Sequence, residues 1–273
     1  MKDIINELTD LRYLNWTKSR RSSGTAGTFL KSYDDTDVPK RYYKLSDFDA
    51  VHGIVGHECV NEIIAQRLLQ LFDIAHLNYR LIHALISIGG VEYETFLCES
   101  VDFKAANESK IPLEDYYAME RQENEPPFDF CVRMGWEGYV QAMLTVDYLI
   151  LNRDRHGANI EVLINGRAHA IRLAPLFDHG LSLVCSCRDK DTLDAFDVME
   201  DRKVQAFIGS QSTQQNLIRM VPKEYLKKLG TLSEKDMTFV LSGLESALDR
   251  DYLNKIREMI MRRWRFLDDF RNS

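Results

Sequence analysis

The chain has 273 residues, is 45% hydrophobic and carries a formal net charge of −7. This length suits one large domain or two lobes around a substantial core, and the acidic balance argues against a nucleic-acid-binding face as the main function. The longest apolar run, residues 81–90, is too short to cross a bilayer. The five cysteines show no paired spacing apart from Cys185-Ser-Cys187, which fits a reducing compartment. We therefore expect a cytoplasmic protein with no signal peptide, no membrane span and no nucleic-acid partner.

The first residues are predicted to form a short helix, because apolar side chains recur at helical spacing between Ile4 and Leu11. A segment of small residues follows and runs into a strand. Gly24 and Gly27 in this segment would let the backbone approach phosphate groups closely, with N–H groups as donors. A flexible turn without ligand fits the same Gly-x-x-Gly pattern.

A strand lysine and a helix glutamate come next. A short β run over residues 41–46 carries Lys44, and the helix predicted over residues 55–72 carries Glu58 and Glu62 one turn apart. In a kinase, a lysine of this kind holds the nucleotide phosphates and the helix carboxylate holds the lysine. We choose Glu62 as the partner of Lys44; a solvated helix charge is the alternative for either glutamate.

Two strands over residues 79–101 are predicted to turn at Gly89-Gly90 and to complete a β-rich first half. Glu99 and Val101 lie at the end of the second strand, which we expect to form the edge against which an adenine lies. The composition then shifts to a charged stretch that ends at Pro126-Pro127. We predict a β-rich N-lobe over residues 1–103 and a mainly helical C-lobe over residues 104–273.

An amphipathic helix over residues 136–151 leads into a loop with Asp154 and Asn159 five positions apart, and Asp178 follows nineteen positions later. The first spacing is that of the base aspartate and the metal-binding asparagine in a kinase catalytic loop. Phosphoryl transfer needs one carboxylate to orient the attacking hydroxyl, and an amide and a second carboxylate to hold Mg²⁺ on the phosphates. The sequence therefore predicts Asp154 as the base and Asn159 and Asp178 as metal ligands.

The residues between these two pieces are predicted to form a β-hairpin. Asn165-Gly166 is a strong signal for a two-residue turn. Pairing Ile164 with Arg167 would then place Asn159 opposite Arg172, so that the returning strand brings Asp178 back to the loop. The alternative is a surface loop followed by an ordinary hairpin.

The remainder of the chain is predicted to be helical, with one exception. Residues 188–202 are rich in aspartate and show no clear period, which favours a mobile segment. Ser233 and Asp236 are spaced as a capped helix start, and apolar residues from Leu253 to Leu267 predict an amphipathic helix up to the end of the chain.

These motifs together resemble the HipA-like family of bacterial serine/threonine kinases. The resemblance rests on Asn61-Glu62 and the helix after it, on the string from Asp147 to Asn159 that includes Asp154-Arg-His-Gly-Ala-Asn159, and on Leu173-Ala-Pro-Leu-Phe-Asp178. It implies an α+β, two-lobed, protein-kinase-like fold that binds ATP and Mg²⁺ between the lobes and acts on a protein substrate.

The resemblance also implies roles for individual residues. Asp154 takes the position of the catalytic base, Asn159 and Asp178 those of metal ligands, and Lys44 that of the phosphate-binding lysine. His156 belongs to the same string and is expected among the cofactor-binding residues. Autophosphorylation is expected in the Gly24 region, with Ser22 or Ser23 as the target.

Two features limit the resemblance. The chain shows no counterpart of the extra N-terminal subdomain with which many family members meet an antitoxin, so we do not expect a toxin–antitoxin role. The Asp-Arg-His-x-x-Asn string and the later aspartate are also similar to phosphatidylinositol 3- and 4-kinases, which makes a lipid or small-molecule kinase the second hypothesis. A nucleotide-binding pseudokinase is the third.

Overall fold

The computed structural model describes residues 3–17, 29–36 and 39–273. Its first part is rich in β-structure and contains strands β1 (Ile4–Asp10), β2 (Lys31–Asp34), β3 (Arg41–Lys44), β4 (Phe48–Asp49) and β5 (Gly53–Ile54), helix α1 (Glu58–Leu71), and strands β6 (Tyr79–Ile88) and β7 (Val91–Val101). The second part is mainly helical. Its elements are β8 (Ser109–Pro112), α2 (Leu113–Glu120), α3 (Pro127–Arg133), α4 (Glu137–Ile150), β9 (Asp154–Arg155), β10 (Glu161–Asn165), β11 (Ala170–Leu173), α5 (Lys190–Asp194), β12 (Gln205–Ala206), α6 (Thr213–Met220), α7 (Lys223–Lys228), α8 (Glu234–Leu241) and α9 (Arg250–Asn272). The predicted α+β fold with a β-rich first part and a helical second part is confirmed.

Five strands of the first part form one sheet in the order β1-β6-β7-β3-β2. The strand β3 lies between β7 and β2, and its last residue, Lys44, pairs with Cys98 on one side and with Lys31 on the other. Because β3 is internal to the sheet, the backbone at Lys44 is fixed by two neighbours. The predicted turn between β6 and β7 is confirmed, since Gly89 and Gly90 both have positive φ angles.

The helix predicted at the start of the chain is wrong, because residues 4–10 form the strand β1. Ile4 and Ile5 pair in parallel register with Leu81 and Ile82 of β6. Leu8, which belonged to the predicted helical stripe, is 52% exposed. Three of the four residues that pair with β6, namely Ile4, Ile5 and Thr9, are β-branched, and long-range pairing with β6 outweighs the weak helical period of so short a segment.

Helix α1 lies between the sheet and the helical part. It packs on β6 and β7 on one side and on α4 and α8 on the other, and all of its residues from Glu58 to Leu69 are buried. One continuous core therefore joins the two parts of the chain through α1. The charged and polar side chains of a helix in this position need partners, because burying them without hydrogen bonds is unfavourable.

Helix α4 is where it was predicted, and it ends abruptly. Leu151 adopts a left-handed conformation with φ of 50° and closes the helix. Its side chain is fully buried, and Asn152 N donates to Asp147 O at 2.9 Å. A residue in the left-handed conformation turns the chain sharply out of the helix. The loop with Asp154 begins at this turn.

The hairpin of β10 and β11 forms, but its predicted register is wrong. Asn165 pairs with Ala170, and Leu163 rather than Asn159 lies opposite Arg172. The turn between Asn165 and Ala170 is therefore longer than two residues. Within it, the Asn165 side-chain oxygen accepts hydrogen bonds from Arg167 N at 3.2 Å and Ala168 N at 3.0 Å. A local side-chain bond of this kind stabilises a wider turn.

Regular structure also occurs in the segment predicted to have none. Residues 190–194 form helix α5, and Asp189 caps it in a reciprocal arrangement with Thr192. The capped start at Ser233 and Asp236 is confirmed for α8, and α9 covers the predicted last helix. None of the helices in the described ranges combines the length and the apolarity that a membrane crossing requires.

Candidate active site

Lys44, Glu62 and Asp178 meet in the structure and are called the lysine cluster below. The Lys44 amino group donates to Glu62 Oε1 at 2.9 Å and also to Asp178 Oδ1. The side chain of Lys44 is 12% exposed and that of Glu62 is fully buried. The sequence-based choice of Glu62 over Glu58 as the partner of Lys44 agrees with this geometry.

Opposite charges dominate the electrostatics of the lysine cluster. Burial alone would lower the pKa of Lys44, but the charges of Asp178 and Glu62 raise it well above its ordinary value. Burial would raise the pKa of Glu62, and the charge of Lys44 together with a hydrogen bond from His179 lowers it instead. Lys44 is therefore a permanent cation and Glu62 a permanent anion near neutral pH.

Backbone contacts hold Asp178 and the residues after it against α1. Asp178 has a positive φ of 59°, and its N–H donates to the Tyr79 hydroxyl at 3.3 Å. The next residue, His179, donates its N–H to Glu62 Oε2 at 2.8 Å. Asn61 on α1 donates its side-chain amide to Gly180 O at 2.9 Å and Ser182 O at 3.0 Å. Both carboxylate oxygens of Glu62 are thus used, one for the lysine and one for the backbone.

The loop of residues 152–159, called the Asp154 loop below, is organised around a buried arginine. Arg155 contacts the carboxylate of Asp147 through Nε at 3.0 Å and Nη2 at 2.9 Å, and both side chains are at most 5% exposed. Its remaining nitrogen donates to Asn159 O at 3.2 Å and Phe177 O at 2.9 Å. Arg155 therefore ties the end of the loop to the residue that precedes Asp178.

The two predicted polar residues of the Asp154 loop lie side by side. The Asn159 side-chain amide donates to Asp154 O at 2.8 Å and lies 3.4 Å from Asp154 Oδ2. The Asn159 side-chain oxygen is buried and finds no hydrogen-bond partner among the described residues. Amide and carboxylate oxygens are the ligands that Mg²⁺ prefers, and a buried oxygen of this kind needs a partner. The buried Asn159 oxygen therefore fits the role of a metal ligand.

His156 lies beside Asp154 in the same loop. Its Nε2 atom is 3.5 Å from Asp154 Oδ1, and its Nδ1 atom accepts a hydrogen bond from Ala158 N at 3.2 Å. The ring caps the short 3₁₀ turn of Gly157–Asn159. A side chain on Gly157 would collide with Glu114, since an added Cβ would lie 2.5 Å from its Cβ. The loop is thus closely packed against α2 at Gly157.

A large cleft opens next to the lysine cluster. Its volume is about 930 Å³, and its described lining includes Lys44, Tyr79, Val101 and Asp178. Phe103 and Phe177 also line it, with their rings stacked at a centroid distance of 5.7 Å. The described lining of the cleft therefore combines aromatic rings with charged side chains of the lysine cluster.

Of the two residues predicted at the adenine edge, only Val101 lies at the cleft. Cys98, Ser100 and Val101 belong to the described lining, whereas the Glu99 side chain binds Arg41 and Arg80. The Glu99 carboxylate therefore links β3, β6 and β7.

Ser22, Ser23, Gly24 and Gly27 lie outside the described residues. Other residues that contact the site were not identified from the sequence as functional: Asp147 and Arg155 support the Asp154 loop, Tyr79 contacts Asp178, and Asn61 and His179 join α1 to the segment after Asp178. Asn61, Asp147 and Arg155 lie within the quoted motif strings. Their contacts depend on the tertiary structure, and no spacing in the sequence indicates them.

The comparisons with known proteins concern the fold. Neither a protein-family model nor a curated protein sequence matches the chain. The proinflammatory kinase CtkA of Helicobacter pylori superimposes with a TM-score of 0.62 at 13% sequence identity, over 96% of each chain. The chain has the fold of this kinase. The resemblance that the motifs suggested is thereby confirmed at the level of the fold.

A second solved structure is similar over most of the chain. HipA of Shewanella oneidensis MR-1, solved with HipB and operator DNA, matches with a TM-score of 0.45 at 14% identity. The match covers 92% of this chain and 67% of HipA.

Proposed function

We propose that the chain is an ATP-dependent protein kinase that transfers the γ-phosphate to serine or threonine hydroxyls. The single observation that carries the proposal is the lysine cluster at the wall of the cleft, where a cation is fixed between two carboxylates. The Asp154 loop, which Arg155 joins to Phe177 directly before Asp178, adds a buried Asn159 oxygen that has no partner among the described residues. Such a cation and such an oxygen suit a phosphate chain with a bound divalent metal.

Each residue has a proposed role in this reaction. Lys44 binds the nucleotide phosphates and Glu62 keeps its amino group in place. Asp154 accepts the hydrogen bond of the attacking hydroxyl and orients it toward the phosphate. Asn159 and Asp178 would hold Mg²⁺, which when bound neutralises the charge on the phosphate oxygens. Val101, Phe103 and Phe177 line the part of the cleft that would take the adenine.

The acceptor of the phosphate is proposed from the motif resemblance and not from the geometry of the site. We place it on proteins, and we place autophosphorylation at Ser22 or Ser23, on the basis of the motif resemblance stated above. A lipid or small-molecule hydroxyl is the alternative acceptor. The full set of Lys44, Glu62, Asp154, Asn159 and Asp178 favours a competent enzyme over a pseudokinase.

The test is transfer of labelled phosphate from Mg-ATP to a generic protein acceptor, to phosphatidylinositol vesicles and to the chain itself. We expect label on protein, loss of transfer in Asp178→Asn, and weakened ATP binding in Lys44→Ala. Asp115→Asn on the exposed side of α2 serves as the matched control. Label on lipid alone would replace the protein acceptor by a lipid, and ATP binding without transfer to any acceptor would favour the pseudokinase. Full transfer by Asp178→Asn would refute the assignment of the site.

A further inference from the structure

Arg188 connects the segment after Asp178 to the loop that leads into α1. One guanidinium nitrogen donates to Val55 O at 2.9 Å, and the other donates to Asp47 Oδ2 at 2.8 Å. The second nitrogen also lies 3.6 Å from Glu58 Oε1, at the first residue of α1. Asp47 and Val55 belong to the connection between β3, which carries Lys44, and α1, which carries Glu62. Arg188 thus contacts the connection between the two elements that supply the lysine cluster.

The Glu58 side chain is buried, and its carboxylate contacts Asp47 and Arg188. Its Oε2 atom accepts a hydrogen bond from Asp47 N at 2.9 Å, while its Oε1 atom has no hydrogen-bond partner among the described residues. Burial raises the pKa of Glu58, and the nearby charge of Arg188 partly opposes this. The positive charge of Arg188 therefore compensates a carboxylate that water does not reach.

Two glycines confine Glu58 between backbone segments. A Cβ atom on Gly56 would lie 2.0 Å from Glu58 Oε2, and a Cβ atom on Gly180 would lie 3.0 Å from Glu58 Cβ. Because the backbone approaches Glu58 this closely on both sides, the side chain has little room to move independently of α1. A displacement of the Glu58 side chain therefore also displaces the first turn of α1.

The segment of residues 178–188 is consequently attached to α1 at both of its ends. Glu62 and Asn61 hold the backbone from His179 to Ser182, and Arg188 reaches Asp47 and Glu58 at the other end. We propose that Arg188 is a positioning residue that fixes α1 against this segment and so keeps Glu62 at the distance from Lys44 that nucleotide binding requires. This inference rests on the proposed kinase function.

The experiment compares Arg188→Ala, Arg188→Lys and the control Arg172→Ala. The Arg172 side chain is 48% exposed, against 39% for Arg188, and it forms an ion pair with Glu108, away from α1. We expect Arg188→Ala to lower kcat/KM for ATP by about tenfold or more, since small displacements of a positioning group are costly. Arg188→Lys should restore much of this, because its amino group can still reach Asp47. All rates are measured well below the unfolding temperature of each variant.

A second readout needs no kinase activity. Cys59 lies on α1 directly after Glu58 and is 1% exposed. If α1 detaches from the segment in Arg188→Ala, modification of Cys59 by a thiol reagent, mapped by mass spectrometry, should become several times faster than in Arg172→Ala. If the wild-type protein shows no transfer, the proposed function alone is refuted, and Cys59 labelling still tests whether Arg188 fixes α1 against residues 178–188. Equal labelling and equal kinetic constants in Arg188→Ala and Arg172→Ala would refute the role of Arg188, as would a lower Tm with unchanged kcat and KM.

Discussion

The Asp154 loop and the lysine cluster are both networks of buried charges, but they are built over different distances along the chain. In the loop, Arg155 binds Asp147, which lies eight positions away. In the lysine cluster, Lys44 binds Asp178 across a separation of 134 positions. The loop is therefore fixed within the helical part of the chain. The cluster exists only when the sheet, α1 and the segment after Asp178 are all in place.

Because of this difference, we expect substitutions in the Asp154 loop and in the lysine cluster to have different effects on stability and on activity. A substitution that breaks the Asp154 loop removes a structural support of the helical part and should appear in stability as well as activity. A substitution at the lysine cluster should weaken nucleotide binding directly, because Lys44 lines the cleft, and should also lower stability, because it leaves the buried Glu62 without its cation. The predictions below test this difference.

The largest effect is expected for Arg155→Met. The substitution leaves the Asp147 carboxylate buried without its cation, and breaking a buried pair in this way costs about 3–5 kcal/mol. The free energy of unfolding, measured by urea denaturation, should fall by this amount. Arg167→Met in the exposed hairpin turn is the control. If Asp147→Leu added to Arg155→Met recovers part of the loss, the cost lies in the unpaired charge; equal stability of Arg155→Met and wild type would contradict the loop's dependence on this pair.

Asp154→Asn should lower the rate of phosphoryl transfer and leave ATP binding and the loop structure nearly unchanged. The Asp154 N–H is held by Asn152 Oδ1 at 3.3 Å and its carbonyl by Asn159, and an amide of the same shape leaves these contacts intact. We expect ATP affinity to be nearly unchanged while turnover falls at least roughly a hundredfold, the scale of a positioned base. Isothermal titration with ATP and a single-turnover assay measure the two quantities. Loss of ATP binding together with normal turnover of bound ATP would reverse the proposed roles.

The sequence predicts some of the contacts within the candidate site, but it does not predict most of the contacts around it. Glu62 and the spacing of Asp154 and Asn159 are readable because each depends on one local element, a helix face or a loop. The hairpin strands are readable from their period, but their register is set by the Asn165 side chain in the turn. The start of the chain was predicted as a helix because its partner, β6, lies more than seventy residues away in the sequence.

The contacts that support the site also join residues that are distant in the sequence, so no local pattern predicts them. Nothing in the pattern of residues 188–202 connects Arg188 with Asp47, and Glu58 resembles an ordinary surface glutamate until α1 is placed between the sheet and the helices. Glu99 illustrates the reverse case, because it is expected at the cleft and its carboxylate instead binds Arg41 and Arg80. Alternation along β7 predicts two faces but does not indicate which of its residues line the cleft.

His57 makes the stability of the α1 end pH-dependent. Burial lowers the pKa of His57 from 6.5 to about 4, so the unfolded chain takes up a proton more readily than the folded one. The contribution is fully present above pH 6.5 and is lost as the pH falls toward 4. Between pH 7 and pH 5 wild type should lose about 2 kcal/mol more than His57→Gln, measured by urea denaturation at each pH. Parallel pH curves for the two proteins would show that His57 does not titrate in this way.

The smallest effect is expected at the hairpin turn, where the contacts are local and exposed. Asn165→Ala removes the acceptor of the Arg167 and Ala168 amides, but water can replace it, so the free energy of unfolding should fall by no more than about 1 kcal/mol. Turnover should not change, since Asn159 and Asp178 are held by Asp154, Arg155 and α1 rather than by the turn. A loss of turnover larger than the loss of stability would mean that the turn sets the position of Asp178, and the Asp154 loop would then no longer count as fixed independently of the hairpin.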